Sequence, residues 1–476
     1  MRQLFSSVFI AASVFAMAGL SSCSNENEPG MTPPEGEKGI PTAMSLTLNM
    51  NGVQTRADQN PGGLVPEDYT TPGETVLKTL HVYIYDAASG ALQKFHDLTY
   101  TDGAAGSAIV DNGDGTYTTE ALDALTGNKK IYVGLNLTTA MTTVLEKADL
   151  ITLQTSAVQE ELVNMASSTT GFSMFSPSTA EGNFKASADG TSVPAENHVT
   201  ASVERMVAKI GVGATTNPKE LGAAGVVKDL KWALDNIGKK FYVPATKSDP
   251  SMTAGEWLQE DFVNYDFNGD NQPVDLDPNL QNVEVNADRT QWTTDYSTEN
   301  FVEDNKLKGM TRVVVKGTYT PAQEITYTLD QDGTLKKAAA ALTEGVTYYQ
   351  IVIPNDNKYV FLATKPDATA LAAYYKKVTS QDYAGADITQ EDYVKEYTNG
   401  ANYWWVTMKE TGSDGNVERN HVYLANINSI TFPGRTEGEF NDKKDDDKEL
   451  EQETLIDVTV NVLDWYMVTF DTDLKP

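Results

Sequence analysis

Apolar and polar residues alternate with period two along much of this chain, the mark of strands that bury one face. The run Met44-Ser45-Leu46-Thr47-Leu48-Asn49-Met50 alternates without a break and ends in the turn pair Asn51-Gly52, so it predicts a first strand. Residues 76–85 and 129–136 predict two core strands, and Asp111-Asn112-Gly113-Asp114-Gly115 predicts a hairpin turn leading to Tyr117. Residues 141–165 switch to helical spacing through Met141, Val144, Leu145, Leu150, Leu153, Val158 and Leu162, which predicts one or two helices over the sheet. Residues 166–197 are rich in small polar residues and predict loops. Residues 199–212 predict one long strand near the boundary of two β-domains. Further strands are expected at 226–234, 241–244, 312–320, 347–353 and 422–432, with a long polar insertion at 245–300. This spacing fits Greek-key sandwiches rather than a parallel α/β sheet.

The last stretch has the same alternation in a different setting. Ile456-Asp457-Val458-Thr459-Val460-Asn461-Val462 reads as a strand, Leu463-Asp464 interrupts it, and residues 465–470 are apolar on both faces. Residues 441–453 (NDKKDDDKELEQE) hold no apolar side chain but Leu450, so they cannot bury a core and predict a solvated tether. A strand on such a tether docks either in its own domain or in a neighbouring molecule, and the pattern leaves both open.

The chain has 476 residues, 40% of them hydrophobic, which is enough for two domains with cores of their own. Its formal charge of −31 repels nucleic acid and anionic headgroups, so no nucleic-acid partner is expected. One cysteine, Cys23, rules out a disulfide within the chain. The chain opens with a short basic start and an apolar run over 4–20, too short for a confident membrane span, ending in Leu20-Ser21-Ser22-Cys23. Residues 24–41 form a Pro/Gly-rich linker. Arg56 lies in a polar, Gly/Pro-rich loop between the lone first strand and the body of the chain, where proteases reach.

Candidate chemistry is sparse. His81, His96, His198 and His421 have no metal-ligand spacing, and no hydrolase or phosphate-loop motif is present. Residues 266–271 (DFNGDN) start like a calcium loop, but Asn271 stands where glycine belongs and Asp277 where glutamate belongs. We therefore expect no metal, no cofactor and no enzymatic activity. Tyr374, Tyr375, Tyr393, Tyr397, Tyr403, Trp404 and Trp405 would serve either a core or a sugar-stacking surface. The second choice defines an alternative function, a monomeric outer-membrane glycan-binding lipoprotein.

Two resemblances sharpen the reading. Leu20-Ser21-Ser22-Cys23 resembles the bacterial lipobox, which implies a signal peptidase II cut between Ser22 and Cys23 and lipidation of Cys23. The chain as a whole resembles the fimbrillins of the Bacteroidales, most closely the Mfa-type (minor) fimbrial shaft subunit. The residues that carry this are Val203-Glu204-Arg205-Met206-Val207-Ala208, Val417-Glu418-Arg419-Asn420-His421-Val422-Tyr423 and Val458-Thr459-Val460-Asn461-Val462-Leu463-Asp464-Trp465, with the lipobox and an Arg ahead of the first domain. The resemblance implies a mainly β fold: two transthyretin-like Greek-key β-sandwich domains, a few short helices and a C-terminal donor-strand arm. It divides the chain into a signal peptide (1–22), a propeptide with a removable strand (23–56), an N-terminal domain (57–204), a C-terminal domain (205–440) and a tether with the arm (441–476). It also implies a route of assembly. A lipoprotein precursor, held at the outer membrane by its lipid, is cut by an Arg-specific protease between Arg56 and Ala57. The strand carrying Leu46, Leu48 and Met50 leaves, and its groove takes the arm of another copy, through Ile456, Val458, Val460, Val462, Trp465, Met467 and Phe470. The mature form then stands in an adhesive surface fimbrium with accessory tip and anchor proteins. Two departures, the charged tether where the relatives are Pro-rich and Asp464 where proline is expected, bear on the register of insertion.

Overall fold

The computed structural model describes residues 39–50, 73–441 and 456–464, apart from 218–223, 245–261, 264–279, 286–291, 300–310, 354–359, 409–416 and a few shorter stretches. Ser22, Cys23, Arg56, Ala57, Trp465, Met467 and Phe470, the tether past Asn441 and the discounted calcium loop lie outside the described residues.

The fold is mostly β, with short helices, as the alternating pattern requires. Two sheets share the first core. One runs His198–Ser202, Pro41–Asn49, Thr116–Thr119, Ile109–Asp111, with Leu122–Leu125 also paired to Pro41–Asn49. The other runs Glu204–Arg205, Met174–Phe175, Gly127–Leu135, Thr79–Asp86, Leu92–Thr99, with Ala180–Phe184 on Gly127–Leu135. Their residues, among them Leu46, Leu48, Val82, Ile84, Val133 and Phe175, fill one buried cluster.

A second core lies between two further sheets. Val207–Ala214, His421–Ile430 and Ile456–Asp464 stand in that order in one, and Gly225–Asp235, Arg312–Pro321 and Ala401–Thr407 in the other. Ile210, Val212, Trp232, Val313, Trp404 and Ile427 pack there. A smaller third cluster joins the five-stranded sheet of residues 326–397 to the helix Ala368–Thr379.

Residues 166–197, expected as loops, supply the strands Met174–Phe175 and Ala180–Phe184 because both pair with Gly127–Leu135. Three further local results differ from the sequence pattern. The strand expected at 199–212 is three strands, His198–Ser202, Glu204–Arg205 and Val207–Ala214. The alternation changes phase at Val203, and the chain passes there from one sheet of the first core to the other, then into the second sandwich. Val207 faces the first core while Ala208, Ile210, Val212 and Ala214 face the second, so Val207–Ala214 is buried throughout. The helical region 141–165 breaks into Thr139–Leu145, Leu150–Thr155 and Leu162–Met165, with a strand, Ala157–Gln159, pairing with Lys240–Tyr242. The helix Ala368–Thr379 was not expected, although Asp367 caps it by accepting the Thr369 and Ala370 amides at 2.8 and 3.3 Å.

Asn136 ends the central strand Gly127–Leu135 in the left-handed region, at φ 49°. Its Oδ1 accepts the Lys78 and Thr79 amides at 2.9 and 3.2 Å, and its Nδ2 donates to the carbonyls of Val76 and Phe172 at 2.6 and 3.1 Å. Asn136→Ala strips buried backbone groups of partners and keeps the strained φ. We expect a loss of about 2–4 kcal/mol, read by denaturant unfolding.

Candidate strand-exchange site

The leading strand Pro41–Asn49 is not an edge. It pairs in parallel with His198–Ser202 on one side and antiparallel with Thr116–Thr119 and Leu122–Leu125 on the other. Its even-numbered residues, Met44, Leu46, Leu48 and then Met50, point into the first core and are at most 3% exposed. Alternation puts Thr47 and Asn49 on the partly exposed face, while Thr42, Ala43 and Ser45 are buried too. Pulling out this strand would open a slot between two ladders, floored by the first core.

Side chains on the slot walls meet the strand. Thr119 Oγ1 accepts the Leu46 amide at 3.0 Å. Asn197, fully buried, donates from Nδ2 to the Ala43 carbonyl at 2.8 Å and to the Lys185 carbonyl at 2.9 Å. Thr42 Oγ1 donates to the same Lys185 carbonyl at 2.7 Å, and Ser45 Oγ is hydrogen-bonded to His198 Nδ1. Sequence reading missed Asn197, Thr119 and His198, because their role appears only once distant residues sit beside them, 73 positions away for Thr119 and Leu46 and 153 for His198 and Ser45.

The arm, Ile456–Asp464, lies in the second sandwich. It pairs antiparallel with His421–Ile430, from Ile430↔Ile456 to His421↔Asp464, with a bulge between Ile427 and Ser429. It is the outermost strand of its sheet, so one of its two edges carries the ladder. Val458 is partly buried against the second core. Leading strand and arm, both expected from their alternation, are thus docked in different sandwiches.

Between the two cores lies a set of buried charges. Glu74, just past residues 51–72, is 1% exposed; its carboxylate accepts from Lys209 Nζ at 2.8 Å and from the Tyr296 hydroxyl at 2.9 Å, and its carbonyl accepts from Arg205 Nε at 3.2 Å. Burial drags the Lys209 ammonium below its usual value, and Glu74 opposes it. Arg419 donates to both carboxylate oxygens of Glu299 and to the carbonyls of Val243 and Tyr242, each carbonyl at 2.8 Å. Burial acts against the Arg419 charge, and Glu299 and Glu204 more than offset it, so its value is raised. Burial pushes the neighbouring Glu204 carboxyl up to about 7; Arg419 pulls it down, while Glu299 and Glu418 add to the rise. The segments 203–208 and 417–423, picked out in the sequence, thus supply Glu204, Arg205 and Arg419 to this junction.

The aromatic residues weighed as a stacking surface lie mostly inside the protein, with Tyr393 partly buried against the third cluster. Tyr374, Tyr375, Tyr397, Tyr403, Trp404 and Trp405 are buried. The guanidinium groups of Arg312 and Arg435 lie 3.9 and 4.0 Å from the Trp405 ring centroid, and Trp404 Nε1 donates to the Phe432 carbonyl at 3.2 Å. No cluster of His, Cys, Asp and Glu suited to a metal occurs among the described residues.

Comparison with known proteins gives the class. The model of the major fimbrial subunit protein (FimA) matches residues 44–213, and that of the major fimbrial subunit protein type IV, fimbrillin, C-terminal, matches residues 395–471. The two together span just over half of the chain, and they begin and end on the leading strand and the arm. Solved structures similar to this chain include a fimbrilin (fimA) from Porphyromonas gingivalis W83, at 14% identity and a TM-score of 0.46, covering 91% of this chain and 99% of that one. The tip fimbrial protein Mfa3 from Porphyromonas gingivalis has 14% identity and a TM-score of 0.39, covering 89% of this chain and 100% of that one. The fimbrial anchor protein Mfa2 from Porphyromonas gingivalis has 12% identity and a TM-score of 0.26, covering 58% and 78%. No curated protein matches. The chain is a structural subunit of a cell-surface fimbrium. It belongs to the fimbrillins of the Bacteroidales.

Two predictions follow from these geometries. Leu48→Ala in the uncut chain empties a fully buried position and costs about 2–5 kcal/mol in denaturant unfolding. For Glu204, the folded carboxyl binds its proton more tightly than the unfolded one. Its contribution is present at low pH and is lost as pH rises from the ordinary glutamate value, roughly 4.3, through about 7. Thermal melts should show wild type losing stability relative to Glu204→Gln across that window, with the difference level above it.

Proposed function

We propose that this fimbrillin is a shaft subunit that polymerises by proteolytic strand exchange. The observation that carries the reading is the pairing of an interior strand at one end of the chain with an edge strand at the other. The leading strand fills a two-sided slot, and the arm occupies one edge of a sheet. Moving into a vacated slot gives the arm a second ladder, roughly four more backbone bonds at about 0.5–1.5 kcal/mol each. Val458 and its apolar neighbours in the arm sequence add burial worth roughly 1.5–3 kcal/mol for each large side chain.

Before the cut, the leading strand competes at the high effective concentration that its covalent link gives it. A cut between Arg56 and Ala57 removes that link, so the strand can leave for good. The exchange thereby acquires a direction. Lipidation at Cys23 would hold the precursor at the outer membrane until then. The division into two sandwiches fits this route, because the first supplies the slot and the second carries the arm, although the strand Glu204–Arg205 belongs wholly to the first and moves the expected 204/205 boundary past Arg205. An uncut slot and a full arm in one chain suit a repeating shaft unit, which both gives and receives. Tip and anchor proteins then complete a fimbrium that serves adhesion.

Digestion of the soluble chain from Ser24 onward with an Arg-specific protease tests this. A new N-terminus at Ala57, with a ladder of oligomers on an unboiled denaturing gel that Arg56→Ala abolishes, is the expected result. An intact Arg56 bond with a monomer throughout would refute it.

A further inference from the structure

The arm repeats the leading strand residue for residue in kind. Thr42-Ala43-Met44-Ser45-Leu46-Thr47-Leu48-Asn49-Met50 and Thr454-Leu455-Ile456-Asp457-Val458-Thr459-Val460-Asn461-Val462 share apolar residues at the same four alternate places. They also share identical polar residues at Thr42/Thr454, Thr47/Thr459 and Asn49/Asn461. We propose that the arm enters the slot of a second copy in one register and in the direction of the strand it replaces. Ile456 then stands at the place of Met44, Val458 at Leu46, Val460 at Leu48 and Val462 at Met50. This rests on the strand exchange proposed above and fixes its geometry.

The slot discriminates against the alternatives. A slip of one residue points Asp457, Thr459 and Asn461 at the first core, which now holds Leu46 and Leu48 with no exposure. A slip of two puts Asp464 at the buried Met50 position in one direction, or Thr454 at the buried Met44 position in the other. The proposed register puts Ile456, Val458, Val460 and Val462 on that face, and the one polar residue it adds there, Thr454, takes the place of the buried Thr42. It also meets the slot's polar walls. Thr454 brings a hydroxyl to the place where Thr42 Oγ1 bonds the Lys185 carbonyl. Asp457 replaces Ser45, which is now hydrogen-bonded to His198 and sits opposite it in the ladder, so a carboxylate would meet that imidazole across the subunit boundary. Inserted in reverse, the arm would present Asn461 there and lose the Thr454 match.

Cysteine pairing in the full chain from Ser24, which lacks Cys23, tests the register. Asn49 lies directly opposite Thr116 in the antiparallel ladder, and Thr47 opposite Thr118. Directly opposed strand residues are within disulfide reach. Thr116→Cys is combined in turn with Asp457→Cys, Thr459→Cys, Asn461→Cys or Leu463→Cys, and the chain is cut, assembled and oxidised. Boiled, non-reducing gels then report inter-subunit bonds. Thr116→Cys with Asn461→Cys should cross-link at least tenfold more than the other pairs. A parallel set on Thr118→Cys should peak with Thr459→Cys and reads slips if the Thr116 variants do not fold; direction is then read with Asp123→Cys, which lies opposite Ala43 and should peak with Leu455→Cys, whereas a peak with Leu463→Cys means reversal. A peak at 459 or 463 against Thr116→Cys means a slipped register, and a peak at 457 means reversal; either overturns the proposal. Unboiled gels of the wild-type chain read the exchange separately. A ladder with the wrong cross-link overturns the register alone, and no ladder overturns the exchange as well.

Discussion

The first sandwich depends on a strand that is at once interior to its sheet and first in the described chain. Pro41–Asn49 completes ladders on both of its edges and supplies Met44, Leu46 and Leu48 to the core. A strand in that position is strongly held while it is covalently attached. Once separated, nothing keeps it but the ladder and burial that any strand of the same pattern would gain. The arm has that pattern and is itself docked on one edge only. Two strands of like pattern in one chain, one interior and one on an edge, are what the proposed exchange between copies would use.

The rest of the molecule keeps the slot in shape. Glu74, Lys209, Arg205 and Tyr296 tie the chain that follows residues 51–72 to the strands Val207–Ala214 and Thr293–Thr298. Arg419 bonds Glu299 and two backbone carbonyls at the start of the strand that carries the arm. Buried ion pairs of this kind add little net stability over apolar packing, but breaking one partner is costly, so they specify how the segments meet. They lie outside the slot, and removing the leading strand leaves their partners in place.

Much of this was legible in the sequence, for identifiable reasons. The leading strand and the arm are strict alternations, and period two has one structural meaning. Turn chemistry located the hairpin around Gly113 and Gly115, both at φ 77°. What the sequence hid depended on distant neighbours. Residues 199–212 look continuous because Val203, Met206 and Val207 are all apolar, yet they serve different sheets. Ala157–Gln159 became a strand because Lys240–Tyr242 lies alongside it, overriding helical spacing. Of the Tyr and Trp residues that suggested an exposed stacking surface, all but the half-buried Tyr393 are buried, two of them on the unexpected helix Ala368–Thr379. For the slot, the strand could be read but its walls could not, since Asn197, Thr119 and His198 carry no motif.

The central claim is that a vacated slot in one copy is filled by the arm of another, and two half-competent subunits test it most directly. One is cut after Arg56 and lacks residues 441–476, so it has a slot and no arm. The other carries Arg56→Ala, so it has an arm and an occupied slot. Mixed and run unboiled, they should give a single heterodimer band and no longer species, while each alone stays monomeric. Oligomers formed by either half alone, or no heterodimer in the mixture, would contradict the account.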